Sequence, residues 1–256
     1  MIRKSPSNRI AGLVLLTGIA WFGPATAEDD DWQFDLALYG WLPQIDVTLP
    51  SGNKSKITRS DIVDNLDMTF MGRVRAQKNK WSLTTDVIYF DLVHKDKGLE
   101  RPNIQLGKLG LEAALIKPTV GYRVLESEQN QVEVYAGGRY FWMKPTLRLN
   151  TLAPLPPASF QESESDSRWD ALVGVRAQHE ISSRWYAASY FDIGTGESDY
   201  VVDLFAGAGY RFKRLDVLAA WRYMKYDFGN DWVLQDMTVN GPLVGVEFSF
   251  GSNGTH

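Results

Sequence analysis

The 256-residue sequence predicts an all-β chain: one antiparallel up-and-down transmembrane β-barrel of about ten strands. Three observations predict it. Apolar and polar residues alternate with period two almost everywhere after Trp32, as in strands with one greasy and one polar face. Connections alternate between short and long, which is how outer-membrane barrels place turns in the periplasm and loops outside. An export leader opens the chain, yet no later apolar run is long enough for a membrane helix.

Composition narrows the function classes. A hydrophobic share of 44% with 12% aromatic is too rich for a disordered chain. The absence of cysteine excludes a disulfide framework, a thiolate metal site and a cysteine nucleophile. A net charge of −4 argues against a nucleic-acid partner. No metal cluster or nucleotide motif stands out, so no cofactor is expected. Gly207-Ala208-Gly209 lies inside a strand and is no phosphate loop.

Residues 1–27 read as a cleaved signal peptide. Arg3, Lys4 and Arg9 precede the apolar stretch Ile10 to Phe22, Pro24 breaks it, and Ala25-Thr26-Ala27 is a small-residue cleavage site. The barrel domain then spans 28–250, and 251–256 is a short tail. Strands are expected over 32–49, 68–77, 81–93, 106–124, 132–149, 167–179, 184–193, 200–212, 215–226 and 237–250. An even number leaves both termini in the periplasm; eight or twelve strands also satisfy the pattern. Over 106–124 the apolar face exchanges: Leu109, Leu111, Ala113 and Leu115 are odd, whereas Val120, Tyr122 and Val124 are even. With the first set turned to lipid, a one-residue bulge near Ile116–Pro118 restores the alternation. Loop 50–67 carries Ser60 as the cap of a short helix, either plugging the mouth or lying on the rim.

A soluble sandwich or lipocalin-like barrel also alternates. Small residues and mid-strand charges of both signs on the would-be interior favour the membrane version. So do aromatics at strand ends, such as Trp32, Trp81, Trp142, Trp169 and Trp185.

Four segments share a Gly-x-Arg element: Gly121-Tyr122-Arg123, Gly137-Gly138-Arg139, Gly174-Val175-Arg176 and Gly209-Tyr210-Arg211. With them stand Trp169 to Arg176, the closing Gly241 to Phe250, Tyr39-Gly40-Trp41-Leu42-Pro43 and Ser60 to Leu66. In this order and spacing they resemble a family of uncharacterised proteobacterial outer-membrane β-barrel proteins, small and porin-like, over essentially the whole mature chain. The resemblance implies fold and location, the outer membrane of a Gram-negative bacterium, and no activity. Gly245, Phe248 and Phe250 look like the signal read by the barrel-assembly machinery, although Leu243 and the tail 251–256 depart from its usual form.

In the barrel register the inward positions include Arg73, Arg75, Lys108, Arg123, Arg139, Arg176, Arg211 and Arg222. Opposing them are Asp35, Asp86, Glu112, Glu133, Asp170, Asp192, Asp203 and Glu247. A glycine two residues before an arginine shares its face, vacating space for the long side chain. So many enclosed charges must pair. The expected function is a structural or narrow porin-like barrel with a polar Arg/Asp/Glu lumen, embedded among outer-membrane lipids and lipopolysaccharide and open at most to a small solute. Two alternatives belong to other classes. An enzyme acting on lipid A or peptides at the outer rim would rest on His94 with Asp91, Asp96 or Asp199. A surface ligand-binding barrel would use loop residues such as His94 to Lys97 and Gly229 to Trp232.

Overall fold

The computed structural model describes residues 32–94, 104–151, 159–163, 165–229 and 234–251. The expected signal peptide, the residues after Gly251 and Asp96 lie outside them, as do the side chains of His94 and Lys108.

The chain forms, in order, β1 (Gln33–Trp41), β2 (Gln44–Thr48), β3 (Lys54–Ile57), α1 (Arg59–Asn65), β4 (Leu66–Lys78), β5 (Trp81–His94), β6 (Ile104–Glu126) and β7 (Asn130–Thr151). These are followed by β8 (Ser159–Ser163), β9 (Asp166–Glu180), β10 (Trp185–Gly196), β11 (Tyr200–Arg211), β12 (Asp216–Asp227) and β13 (Asp236–Phe250). Successive long strands pair antiparallel, and β1 pairs with β13 to close the ring. β2 continues β1 on β13 in an unchanged register after an interruption at Leu42–Pro43, so the two form one wall strand broken by a proline. The wall therefore has ten strands, a closed antiparallel up-and-down barrel.

Both described ends of the chain and the turns at Asn79-Lys80, 127–129, 181–184 and 212–215 lie at one end of the barrel, the turn end. Asn79 takes a left-handed φ of 54° in the two-residue turn, a conformation that asparagine tolerates better than most residues. At the other end, the loop end, β3 forms a hairpin with β2, and β8 pairs antiparallel with the last part of β7.

On the outer face, residues such as Leu38, Phe70, Leu83, Val120, Val173 and Leu204 are exposed. Aromatic pairs ring the turn end: Trp81 with Tyr122, centroids 4.9 Å apart, and Trp185 with Tyr210 at 5.0 Å.

The alternation holds through Pro118, contrary to the expected bulge. β5 and β6 stay in one register from Trp81–Tyr122 to His94–Leu109. The β6–β7 ladder skips Lys117 and Pro118 and resumes unshifted at Thr119–Gly137, because a proline without an N–H interrupts pairing yet need not add a residue. Ala113 and Leu115 are buried inside, with Leu111 packed against them. They are greasy because that part of the lumen is greasy.

The helix also begins earlier than expected. Thr58, not Ser60, is its cap: Asp61 N–H donates to Thr58 Oγ1 at 3.3 Å, and Thr58 N–H donates back to Asp61 Oδ2 at 2.8 Å. Ile62 of this helix joins the interior cluster, so loop 50–67 does contribute to filling the mouth.

Candidate functional site

Alternation brings one residue in two to the lumen, and a ten-stranded barrel is little wider than its own side chains. The described interior forms three layers. An apolar block occupies the loop end, a buried ionic cluster lies beneath it, and a polar vestibule opens at the turn end.

The apolar block contains Trp41, Ile88, Leu115, Phe141, Val201 and Met224, with a run of packed rings from Phe141 through Tyr226 to Phe228, each 5.1 Å from the next.

The ionic cluster draws one residue from each of six strands: Asp86 on β5, Lys117 on β6, Arg139 on β7, Asp192 on β10, Asp203 on β11 and Arg222 on β12. Three cations face three carboxylates. Asp203 is the hub, accepting from Lys117 Nζ at 2.8 Å, Arg222 Nη2 at 2.8 Å and Arg139 Nη2 at 3.3 Å. Arg139 also donates to Asp192 at 2.5 Å, Lys117 to Asp192 at 3.0 Å, and Arg222 to Asp86 at 3.1 Å. Three tyrosine hydroxyls complete the carboxylates: Tyr39 to Asp86 at 2.5 Å, Tyr135 to Asp192 at 2.9 Å and Tyr190 to Asp203 at 3.3 Å. None of the six charged residues is more than 7% exposed. Such burial is tolerable only with this degree of pairing.

The vestibule holds looser pairs. Arg73 bonds Glu247. Arg75 and Arg176 share Glu133, at 2.5 and 2.7 Å. Arg123 donates to Gln77 at 2.8 Å and to Glu126 at 2.6 Å. At the rim Arg211 bonds Glu180.

Among the sequence-predicted lumen residues with described side chains, the structure thus distributes Arg139, Arg222, Asp86, Asp192 and Asp203 to the cluster. Arg73, Arg75, Arg123, Arg176, Glu133, Glu247 and Asp35 go to the vestibule, and Arg211 to its rim. Asp170 is buried higher, where its Oδ1 accepts from Ser198 N–H at 2.8 Å and holds the tight turn between β10 and β11.

Glu112 is a correction. It has the opposite parity to Ala113 and Leu115 and faces outward, where it pairs with Lys144 at 3.3 Å. Its misplacement follows from the expected bulge, and so does the omission of Lys117, which fell inside it. Tyr39, Tyr135 and Tyr190 were also missed, although their parity with Asp35, Glu133 and Asp192 marks them as inward.

The Gly-x-Arg element works differently from the simple expectation. A Cβ on Gly174 would lie 2.6 Å from the ring of Tyr135, its cross-strand partner, and one on Gly209 would lie 2.1 Å from the ring of Tyr186. In these two units the glycine makes room for a tyrosine of the next strand, and the arginine two residues on then stacks over that ring, whereas a Cβ on Gly121 would meet Glu133 and one on Gly137 the backbone of Pro118. Arg176 sits 4.9 Å from Tyr135 and Arg211 sits 4.8 Å from Tyr186.

Of the groups considered for catalysis, Asp91 lies on β5 opposite outward Glu112, and Asp199 sits in the β10–β11 turn beside Gly229. His179 Nδ1 is 2.8 Å from Asn130 at the turn end. Phe248 and Phe250 face outward on β13, and Gly245 lies opposite Tyr39.

No family model matches the chain, and no curated protein matches it. Among solved structures it is similar to Ail, the attachment invasion locus protein of Yersinia pestis, in complex with the heparin analogue sucrose octasulfate. That similarity has 13% identity over 86% of this chain and 99% of Ail, with a TM-score of 0.39. The translocator domain of the autotransporter NalP from Neisseria meningitidis is 14% identical over 88% of this chain and 90% of that domain, with a TM-score of 0.39. The Pseudomonas putida toluene transporter TodX is 8% identical over 87% of this chain and 90% of its own, with a TM-score of 0.35.

Proposed function

We propose that the protein is an integral outer-membrane barrel that seals its own lumen, a structural envelope element that neither conducts nor catalyses. Its outward residues form an apolar band that water would penalise by roughly 1.5–3 kcal/mol for each large side chain it left exposed. A closed barrel leaves no unpaired sheet edge to face hydrocarbon. The leader-like first segment supplies the route of export, the turn end then faces the periplasm, and β13 offers its two outward phenylalanines to the assembly machinery.

The single observation that carries the sealed reading is the buried ionic cluster beneath the apolar block. A narrow porin-like path along the arginines would have to part six paired charges and then cross stacked rings. Planar-bilayer recording of the refolded protein tests this. The expected trace is flat, from preparations whose insertion is verified by protease protection in liposomes. Discrete conductance steps, altered in size by Arg139→Ala or Arg222→Ala, would overturn it.

A further inference from the structure

We propose that the turn-end vestibule binds a small multivalent oxyanion of the phosphate or dicarboxylate class. The inference does not depend on whether the lumen conducts. The vestibule encloses a cavity of about 160 Å³, large enough for such an anion, and its lining carries six Lys or Arg against four Asp or Glu. Lys117, Arg222 and Asp86 belong to the cluster above, which leaves four arginines facing three carboxylates, with Glu126 at the rim pairing Arg123.

Guanidinium donors crowd a single carboxylate at one place. Arg75 on β4 and Arg176 on β9 both donate to Glu133, one to each oxygen, so two guanidiniums share one carboxylate. A guanidinium has five donors, and the buried Nε of each of these arginines has no acceptor among the described residues. Asp35 lies across from Arg75 on β1 and compensates it through space, but its hydrogen bonds come from neutral groups, Gln77 at 3.2 Å and Ser249 at 2.7 Å. Both arginine side chains retain some exposure, 15% and 18%, so a ligand entering the vestibule can reach them. Forked donors suit planar or tetrahedral oxyanions better than a halide, since two parallel hydrogen bonds form at once. Glu133 is then the internal competitor: it occupies donors that the ligand would use.

That competition gives a test with a sign. Inorganic phosphate is titrated calorimetrically into the refolded wild-type protein in detergent, with sodium chloride at matched ionic strength as control and succinate as a second arm. Phosphate or succinate should bind where chloride does not, and the better of the two identifies the ligand geometry. Arg75→Gln and Arg176→Gln should each weaken binding by roughly tenfold, equivalent to about 1.4 kcal/mol. Glu133→Gln should strengthen it and make the denaturation midpoint more anion-dependent. If Glu133→Gln fails to fold, Glu247→Gln frees Arg73 on the same cavity and carries the same expectation. No binding of either oxyanion above the chloride control overturns the proposal, as does weakened binding in the glutamine variant that folds.

Discussion

Asp203→Ala is expected to destabilise the refolded barrel by about 3–5 kcal/mol. The argument is one of stranded charge. Asp203 is fully buried and accepts from Lys117, Arg139 and Arg222, so its loss leaves three enclosed cations facing only Asp86 and Asp192. Water in the vestibule touches only the margins of Lys117 and Arg222, and Arg139 is fully buried. The measurement is a urea titration in detergent micelles, followed by tryptophan fluorescence and by the shift in gel mobility on heating. Glu126→Gln is the contrasting variant, since the Glu126 side chain is 52% exposed and its bond to Arg123 is a rim contact. It should change stability by less than about 1 kcal/mol. Equal effects from the two variants would contradict the layered lumen described above.

Gly137→Ala should be the most damaging single methyl group in the wall. A Cβ there would stand 2.1 Å from the carbonyl oxygen of Pro118, a backbone atom on the neighbouring strand. No side chain can rotate away to admit it. The β6–β7 ladder skips Lys117 and Pro118 immediately beside this site, so the two strands must separate further where they already lack two rungs. Overpacking of this kind costs about 1–3 kcal/mol, and a backbone obstacle puts the cost at the upper end. The adjacent Gly138→Ala is the control: its Cβ would point outward and meet nothing closer than 3.6 Å. It should shift the urea midpoint by no more than about 0.5 kcal/mol of stability. A tolerated Gly137→Ala would mean that the two strands do not approach as closely as described.

How much of this was legible follows from what alternation can encode. Two faces meeting different solvents leave a period-two trace. That is why β9 and β11, with Asp170, Arg176, Asp203 and Arg211 inside and Trp169, Val173 and Leu204 outside, could be read directly. β6 defeated the same reasoning because its loop-end half meets apolar surroundings on the inside as well. Leu111 and Leu115 look lipid-facing, and a binary pattern does not distinguish membrane from protein interior. The invented bulge then displaced Glu112 and hid Lys117. The pairing of Asp203 with three cations was illegible for a different reason, since it joins strands separated by long stretches of sequence and depends on how the ring closes. The tyrosines beside Gly174 and Gly209 could have been found by asking which residue lies across from each glycine once the strands are aligned.

The ring has a short clasp. Between β1 and β4 the ladder runs only from Gln33–Gln77 to Leu38–Gly72, after which the first wall strand turns to β3 for its partner. Just above, Trp41 gives its backbone N–H to the sulfur of Met71, 3.3 Å away, in place of a carbonyl. Every other junction around the circumference is longer. A cylinder pulled or swollen from within parts where the fewest rungs hold it, so the first and second wall strands form the zipper that opens first and, in assembly, the one that gains least by closing early. The thin line in the wall of this vessel runs down its side.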